Sequence, residues 1–452
     1  LILEPRSGDT YLLLEKIIIM KYKALPVELF KLNRERFAAQ MQPNSIAIFH
    51  SNDPMPRSGD THFTFRQNAD LFYLSGLDQA ETILVLYPNC PKGKEFEAVV
   101  FTRQTNEYIQ VWEGYKYSKN EVAAISGISN VHWLDAVDSL LNEMIMLADV
   151  AYLNGNENDR GHFIPAMCAN TRYAQEFRQK YPSQKVERGQ PIMKKLRMIK
   201  SQAEIDAMQI ACDITEKAFR AALAQTRPDQ NEYELEALIT YEFLRNGANG
   251  HAYNPIVASG KEACILHYND NCRPMRAGDV VLIDVGAEYA NYAADLSRSF
   301  PVGGRFSPRQ RQVYDAVLRV KNFAQSIMRI GTTFNQYHSE IGAFMQSELI
   351  GLGLLDKTDV KNQNPAMPLY KKYFPHGTSH HLGLDVHDLC ERYDAFAAGM
   401  VLTCEPGIYI PAEGLGIRIE DDLVVTQDAP FNLMRNIPIE ADEIETLMNS
   451  NK

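Results

Sequence analysis

Between Ser45 and Ala151, short apolar runs alternate with stretches of helical spacing. Residues 45–49 (SIAIF), 82–87 (TILVLY) and 97–101 (EAVVF) are rich in β-branched and aromatic residues and are bounded by turn formers, so each predicts a strand. Residues 134–147 (LDAVDSLLNEMIML) space their apolar positions as a helix does, and 170–181 predicts a polar surface helix. The alternation predicts an α/β layer domain. Residues 181–200 (YPSQKVERGQPIMKKLRMIK) are polar and basic and hold Pro182 and Pro191, which predicts an inter-domain connector. A strong helix signal comes next: Ser201 and Glu204 form a capping box, and Ile205, Met208, Cys212 and Phe219 recur at helical spacing. Strand pairs succeed it, with two more long helices over 307–329 and 333–350, the second opened by Thr333.

Composition narrows the class. With 45% hydrophobic and 23% charged residues in 452, the chain is neither disordered, collagen-like nor coiled-coil, and its length suggests two or three domains. Lys and Arg total 46 against 57 Asp and Glu, so the net charge of -11 gives no attraction to nucleic acid or to an anionic membrane. No apolar run approaches the roughly 18 residues of a membrane helix. Seven Cys without C-x-x-C spacing read as reduced thiols of a cytoplasmic protein. Residues 1–19 differ in character from the rest of the chain. The hexapeptide PRSGDT occurs at both 5–10 and 56–61 without a longer repeat, and Met20 opens an ordinary N-terminal stretch. The expectation is an upstream extension over 1–19, a first domain over 20–190 and a second over 191–452.

The acidic excess gains meaning in the second half. In Val280-Val281-Leu282-Ile283-Asp284, an acid comes after four apolar strand residues, which is costly unless it is paired or bound to metal. A hairpin turning at Tyr289-Ala290 would set Asp284 directly opposite Asp295, and two carboxylates on one sheet face repel unless a cation lies between them. Residues 376–388 (HGTSHHLGLDVHD) hold four of the eleven His, at 376, 380, 381 and 387, among glycines that allow close backbone approach. The spacing leaves open which of them is a ligand. Residues 403–409 (TCEPGIY) and 416–422 (GIRIEDD) flank a turn. A hairpin centred near Ala412 and Glu413 would set Glu405 beside Glu420, with Arg418 on the same face. Any one acid alone is as well explained by an ion pair with Arg298, Arg418 or a His. All three segments together favour metal. Four carboxylates and one imidazole suit two divalent cations such as Mn2+, with Co2+, Fe2+ or Zn2+ as alternatives.

The ordered set Asp284, Asp295, His380, Glu405 and Glu420 resembles the dinuclear site of the pita-bread metallopeptidases, which comprise methionine aminopeptidase, prolidase and aminopeptidase P. The phrases HGTSHHLGLDVHD and TCEPGIYI, with GIRIEDD, look most like aminopeptidase P and prolidase, and residues 67–76 (QNADLFYLSG) resemble part of the aminopeptidase P N-terminal domain. The resemblance implies an N-terminal α/β layer domain followed by a C-terminal pita-bread catalytic domain, an α+β chain overall. It implies that Asp284 binds one metal and His380 and Glu405 the other, with Asp295 and Glu420 bridging. His267, His376 and His387 match the substrate-contacting histidines, Arg418 the arginine behind the ligands, and Glu405 the proton carrier. His381 is expected to point outward. The implied activity is release of the N-terminal residue from peptides with Pro in second place, by attack of a metal-bridging hydroxide. Prolidase, restricted to Xaa-Pro dipeptides, is the alternative. A homo-oligomer, dimer or tetramer, is implied as well.

Overall fold

A computed structural model of the chain describes residues 21–157, 167–391 and 393–450. The extension expected over residues 1–19 lies outside them. The three predicted runs form β1 (Ser45–His50), β2 (Thr82–Leu86) and β3 (Ala98–Thr102). With β4 (Asn130–Trp133), β5 (Val150–Leu153) and β6 (Lys185–Arg188) they make a mixed sheet of order β4-β3-β2-β1-β5-β6. β2 runs antiparallel to β1 and β3, and the outer pairs are parallel. The twofold alternation of β1 feeds two cores. Ile46 and Ile48 pack with Leu141, Met144 and Phe177, while Ala47 and Phe49 join a core with Phe37 and Phe72 that continues into the second domain. Helices Val137–Leu147 and Ala169–Lys180 therefore cover one face, and Val27–Ala38 and Ala69–Ser75 the other. The helix expected to be polar and superficial buries Asn170, Ala174 and Phe177.

The expected connector over 181–200 is folded. Its first part is β6, an edge strand paired to β5, and its second is the helix Gln190–Met198. Polarity was misleading here. An edge strand sends charged side chains to water, and Pro191 sits in the first helical turn, where no N–H is needed. The helix buries Met193, Arg197 and Met198.

The second domain opens as predicted. Ser201 and Glu204 close a capping box on the helix Gln202–Gln225, which buries Met208, Cys212 and Phe219. A further helix, Glu232–Arg245, packs beside it. Helices Pro308–Ile327 and Phe334–Gly351 start at Ser307 and Thr333, whose hydroxyls accept from the Gln310 and Gln336 amides. The site rests on two hairpins. In the first, β8 (Val280–Val285) lies between β7 (Ile256–Ser259) and β11 (Leu296–Pro301). Its tip is β9 (Ala287–Tyr289) and β10 (Tyr292–Ala293). Tyr289 pairs with Tyr292, so the turn is Ala290-Asn291, one residue later than expected, and Asp284 faces Ser297 rather than Asp295. Both turn residues have left-handed φ, 51° and 64°. Asn tolerates that conformation, and the Asn291 amide is held by Asp78 of the first domain at 3.1 Å. The two-position slip preserves face parity, so Asp295 remains on the face of Asp284.

The second hairpin has the expected register. β13 (Gly407–Ile410) pairs with β14 (Leu415–Arg418), Ile410 opposite Leu415, about a turn centred on Ala412 and Glu413. The same register continues into β12 (Val401–Cys404) and β15 (Asp421–Val424). Glu405 and Glu420 fall in the break between these two paired stretches.

Candidate metal centre

Asp284 ends the apolar run of β8, and Asp295 lies just before β11. Their Oδ1 atoms each lie 2.6 Å from the same Tyr253 hydroxyl, whose single proton bonds one of them at a time. The chain crossing between them is tight. The Cβ of an alanine at Gly286 would fall 1.7 Å from the Ala294 carbonyl oxygen, so only glycine fits. The Asp295 amide donates to Asp422 Oδ2 at 3.0 Å.

His380 enters from the loop before β12, held by its backbone to Thr403 in both directions. Its Nδ1 lies 3.0 Å from the His381 carbonyl, which can only accept. Nδ1 therefore carries the hydrogen, and Nε2 is the nitrogen left open to a ligand role. Nε2 lies 3.3 Å from Asp295 Oδ2 and 3.7 Å from Glu405 Oε1. Glu420 receives the Ser297 hydroxyl at 2.6 Å, and its amide donates to the Ser297 carbonyl. Asp295, His380 and Glu420 are all buried, and each offers a ligand atom within 4.8 Å of the others. The slipped register thus makes Ser297, not an acid, the residue opposite Asp284, and its hydroxyl serves Glu420.

Electrostatics describe a site short of positive charge. Burial raises Glu405 to about 7; the nearby carboxylates of Asp295 and Asp284 push the same way, against His380 and Arg418. Glu420 is driven well above the carboxylate range by burial and then by Asp295, Glu405 and Asp284. Burial also raises Asp284, opposed by Arg418 and reinforced by Asp295. Crowded, buried carboxylates with an open imidazole nitrogen form a donor set that fits divalent cations. Pairing with the two candidate arginines accounts for one acid only. Arg418 Nη2 holds Asp284 Oδ2 at 2.6 Å, whereas Arg298 is spent on Asp421 and backbone carbonyls.

Arg418 also donates to Ser297 Oγ at 2.7 Å and to the Tyr409 hydroxyl at 2.9 Å. Tyr409 in turn lies 2.8 Å from His376 Nε2, while His376 Nδ1 lies 2.7 Å from the Gly377 carbonyl and 3.5 Å from Glu405 Oε2. The Gly377 carbonyl places the hydrogen on Nδ1, so Tyr409 donates to Nε2, and Arg418, Tyr409 and His376 form one directed chain. Burial, helped by Arg418, lowers His376 to about 3 and keeps it neutral. His387 is exposed, with its ring perpendicular to that of His380 at 4.4 Å between centroids. His267 is exposed and close enough to His376 to contribute to its depressed basicity. His381 does not point outward. It is buried and packs 5.6 Å from the Phe334 ring, because its backbone bridges to Leu402 and turns the side chain into the core. Sequence reasoning gave no role to Tyr253, Ser297 or Asp422. Ser297 and Asp422 stand inside or beside the acidic motifs, and Tyr253 has no motif around it.

The profile of Metallopeptidase family M24 matches residues 206–427, and that of the aminopeptidase P N-terminal domain matches residues 30–152. The chain is 34% identical over 432 residues to an Xaa-Pro aminopeptidase of Escherichia coli (strain K12), covering 93% of this chain and 97% of that protein. It is 34% identical over 439 residues to the Xaa-Pro aminopeptidase of Haemophilus influenzae, covering 94% and 98%. Among solved structures, zinc-substituted Escherichia coli aminopeptidase P in complex with product superposes with a TM-score of 0.85 at 33% identity, over 95% of this chain and 100% of that one.

Proposed function

The chain belongs to the Xaa-Pro aminopeptidases of metallopeptidase family M24, and from that premise we propose that it removes the N-terminal residue from peptides whose second residue is proline, beyond dipeptide length. It is a metal-dependent aminopeptidase with an aminopeptidase P N-terminal domain and a pita-bread catalytic domain. The observation that carries the metallopeptidase reading is the convergence of Asp295, His380 and Glu420 on one buried point, with Glu405 and Asp284 beside them, and the likeness to Xaa-Pro aminopeptidases supports the proline reading.

Asp284, Asp295, His380, Glu405 and Glu420 would hold two divalent ions, Mn2+ by preference for this oxygen-rich set. Bound there, such ions supply Lewis acidity, polarising a peptide carbonyl and acidifying water. The chain's own groups do the rest. The acidic cluster attracts the free α-amino group and fixes the peptide's end. Glu405 accepts a proton from the attacking water and returns it to the leaving prolyl nitrogen, which has no N–H of its own. His267 donates to the oxygen on which charge develops. His387 orients the carbonyl after the scissile bond. The Arg418-Tyr409-His376 chain holds a neutral imidazole beside Glu405 and fixes the orientation of Asp284.

Three further readings accompany this one. The domains divide as 20–190 and 191–452, supported by a first sheet that closes with Arg188. The protein assembles as a homo-oligomer, dimer or tetramer, supported by a bare apolar patch at Tyr108 (73% exposed), Val111 (80%) and Trp112 (74%). Seven unbridged cysteines support a cytoplasmic setting.

A cleavage panel with Mn2+ tests the main proposal: an Xaa-Pro dipeptide, Xaa-Pro-Xaa, its N-acetylated and C-amidated forms, and Xaa-Ala-Xaa. Cleavage of Xaa-Pro-Xaa and of its amide, with little cleavage of the N-acetylated form, is expected. Activity confined to the dipeptide would assign the enzyme as a prolidase. Equal cleavage of Xaa-Ala-Xaa would remove the proline claim.

A further inference from the structure

One side chain of the first domain grips two separate segments of the second. Arg66 precedes the helix Ala69–Ser75. Its Nε donates to Glu288 Oε2 at 2.8 Å and its Nη1 to Asp385 Oδ1 at 3.1 Å, while Nη2 donates to the Leu384 carbonyl. Glu288 lies on β9, in the hairpin that leads to Asp295. Leu384 and Asp385 lie between His380 and His387. We propose that Arg66 is a positioning residue for the reaction, setting the separation of the 287–293 hairpin from the 376–388 loop, and through it the placement of His380 against Asp295 and of His387 against the peptide. The inference rests on His380 as a metal ligand and His387 as a substrate contact.

Three observations support a shared placement. The Ala293 amide donates to the Gly383 carbonyl at 2.8 Å, so hairpin and loop already touch at a second point. The loop has no slack. A Cβ on Gly383 would fall 2.2 Å from Asp388 Oδ2, and the Asp388 amide closes the loop on the His381 carbonyl at 2.9 Å. The loop's other side is anchored by Arg197, which donates to Asp70 of the first domain at 2.7 Å, to Asp385 at 2.7 Å and to Asp388. Because the His380 and His387 rings stand in contact, a shift at 384–385 moves both. Arg66 is the adjustable member. Its three acceptors are matched to the planar guanidinium fork, and it borders a cavity of about 210 Å3 lined also by Asn52 and Asn68, so its removal leaves the apolar core intact.

The test uses Arg66→Ala, Asp385→Asn and, as a reference for the site, His387→Ala, all in the cobalt-loaded full chain. For Arg66→Ala we expect metal content equal to the parent, kcat lowered on the order of tenfold to a hundredfold, a raised KM for Xaa-Pro-Xaa, and a shifted visible cobalt absorption band. Loss of folded enzyme alone would lower kcat without moving KM or the band. Methylguanidine should restore part of the activity of Arg66→Ala and none to His387→Ala. Parental KM and cobalt spectrum in Arg66→Ala, beside an impaired His387→Ala, would overturn the clamp and leave the site reading standing. Parental kinetics in His387→Ala would overturn the site reading and the clamp with it. Should Arg66→Ala fail to fold, the volume-preserving Asp385→Asn is read by the same criteria.

Discussion

His380 Nε2 faces Asp295 Oδ2 across 3.3 Å, and its other ring nitrogen is already committed to the His381 carbonyl. A neutral imidazole would therefore turn a lone pair toward a carboxylate, which is unfavourable unless a proton or a metal ion lies between them. Burial lowers the basicity of His380, yet Asp295 and Glu405 more than offset it and the net shift is upward. A divalent ion replaces that proton with a stronger charge.

Asp295→Asn should lose metal and activity together. The amide is a neutral, weaker ligand for a hard cation, and it withdraws one of the negative charges of the cluster. Elemental analysis of the purified variant is the check. Full metal content in an inactive enzyme would remove Asp295 from the ligand set.

Acid sensitivity should trace to Asp388. Burial would raise this carboxyl, but Arg197 and Lys200 outweigh it and bring it down to about 2. The folded value lies below the unfolded one, so the stabilisation is complete above about pH 4 and is lost as pH falls toward about 2. It amounts to about 2 kcal/mol. Asp388→Asn should cost roughly 3 kcal/mol at neutral pH, because it leaves Lys200 buried without its carboxylate and takes one of three from Arg197. The gap in melting temperature between parent and variant should narrow between about pH 4 and about pH 2. A gap independent of pH would mean that Asp388 is not the charged partner.

The legible parts of this chain were those with local signals. The capping residues Ser201, Ser307 and Thr333 mark their helices directly. The turn at Ala412-Glu413 could be placed because Pro411, Gly414 and Gly416 surround it. The turn at Ala290-Asn291 is harder to place, since its left-handed conformation is supported from outside, by Asp78 in another domain. Residues 181–200 mislead for a related reason. Arg197 reads as a surface charge, but it is buried against Asp70, Asp385 and Asp388, acids distant in sequence. Asp284 was legible because a carboxylate inside an apolar strand stands out, whereas spacing left the four clustered histidines open and only the resemblance singled out His380. The groups that orient the candidate acids, Tyr253 and Ser297, look like ordinary strand and loop residues until the chain is folded.

Gly286→Ala should disable the site without touching any ionisable group. Its Cβ would meet the Ala294 backbone oxygen at 1.7 Å, and no side-chain rotation relieves a clash with backbone. The hairpin carrying Asp284 and Asp295 must open, at a cost on the order of 3 kcal/mol or more. Lower metal content and a lower melting temperature are expected together. Wild-type values for both would show that the crossing is looser than this geometry allows.

His267→Ala should separate transition-state stabilisation from metal binding. The residue is exposed, so its loss costs the fold little, and it stands on the His376 side of the site rather than within the buried group of Asp295, His380 and Glu420. If it donates a hydrogen bond to the developing oxyanion, kcat should fall on the order of a hundredfold with KM much less affected. Metal content should equal that of the parent. Loss of metal in step with activity would make His267 a ligand and would call for reassigning His380.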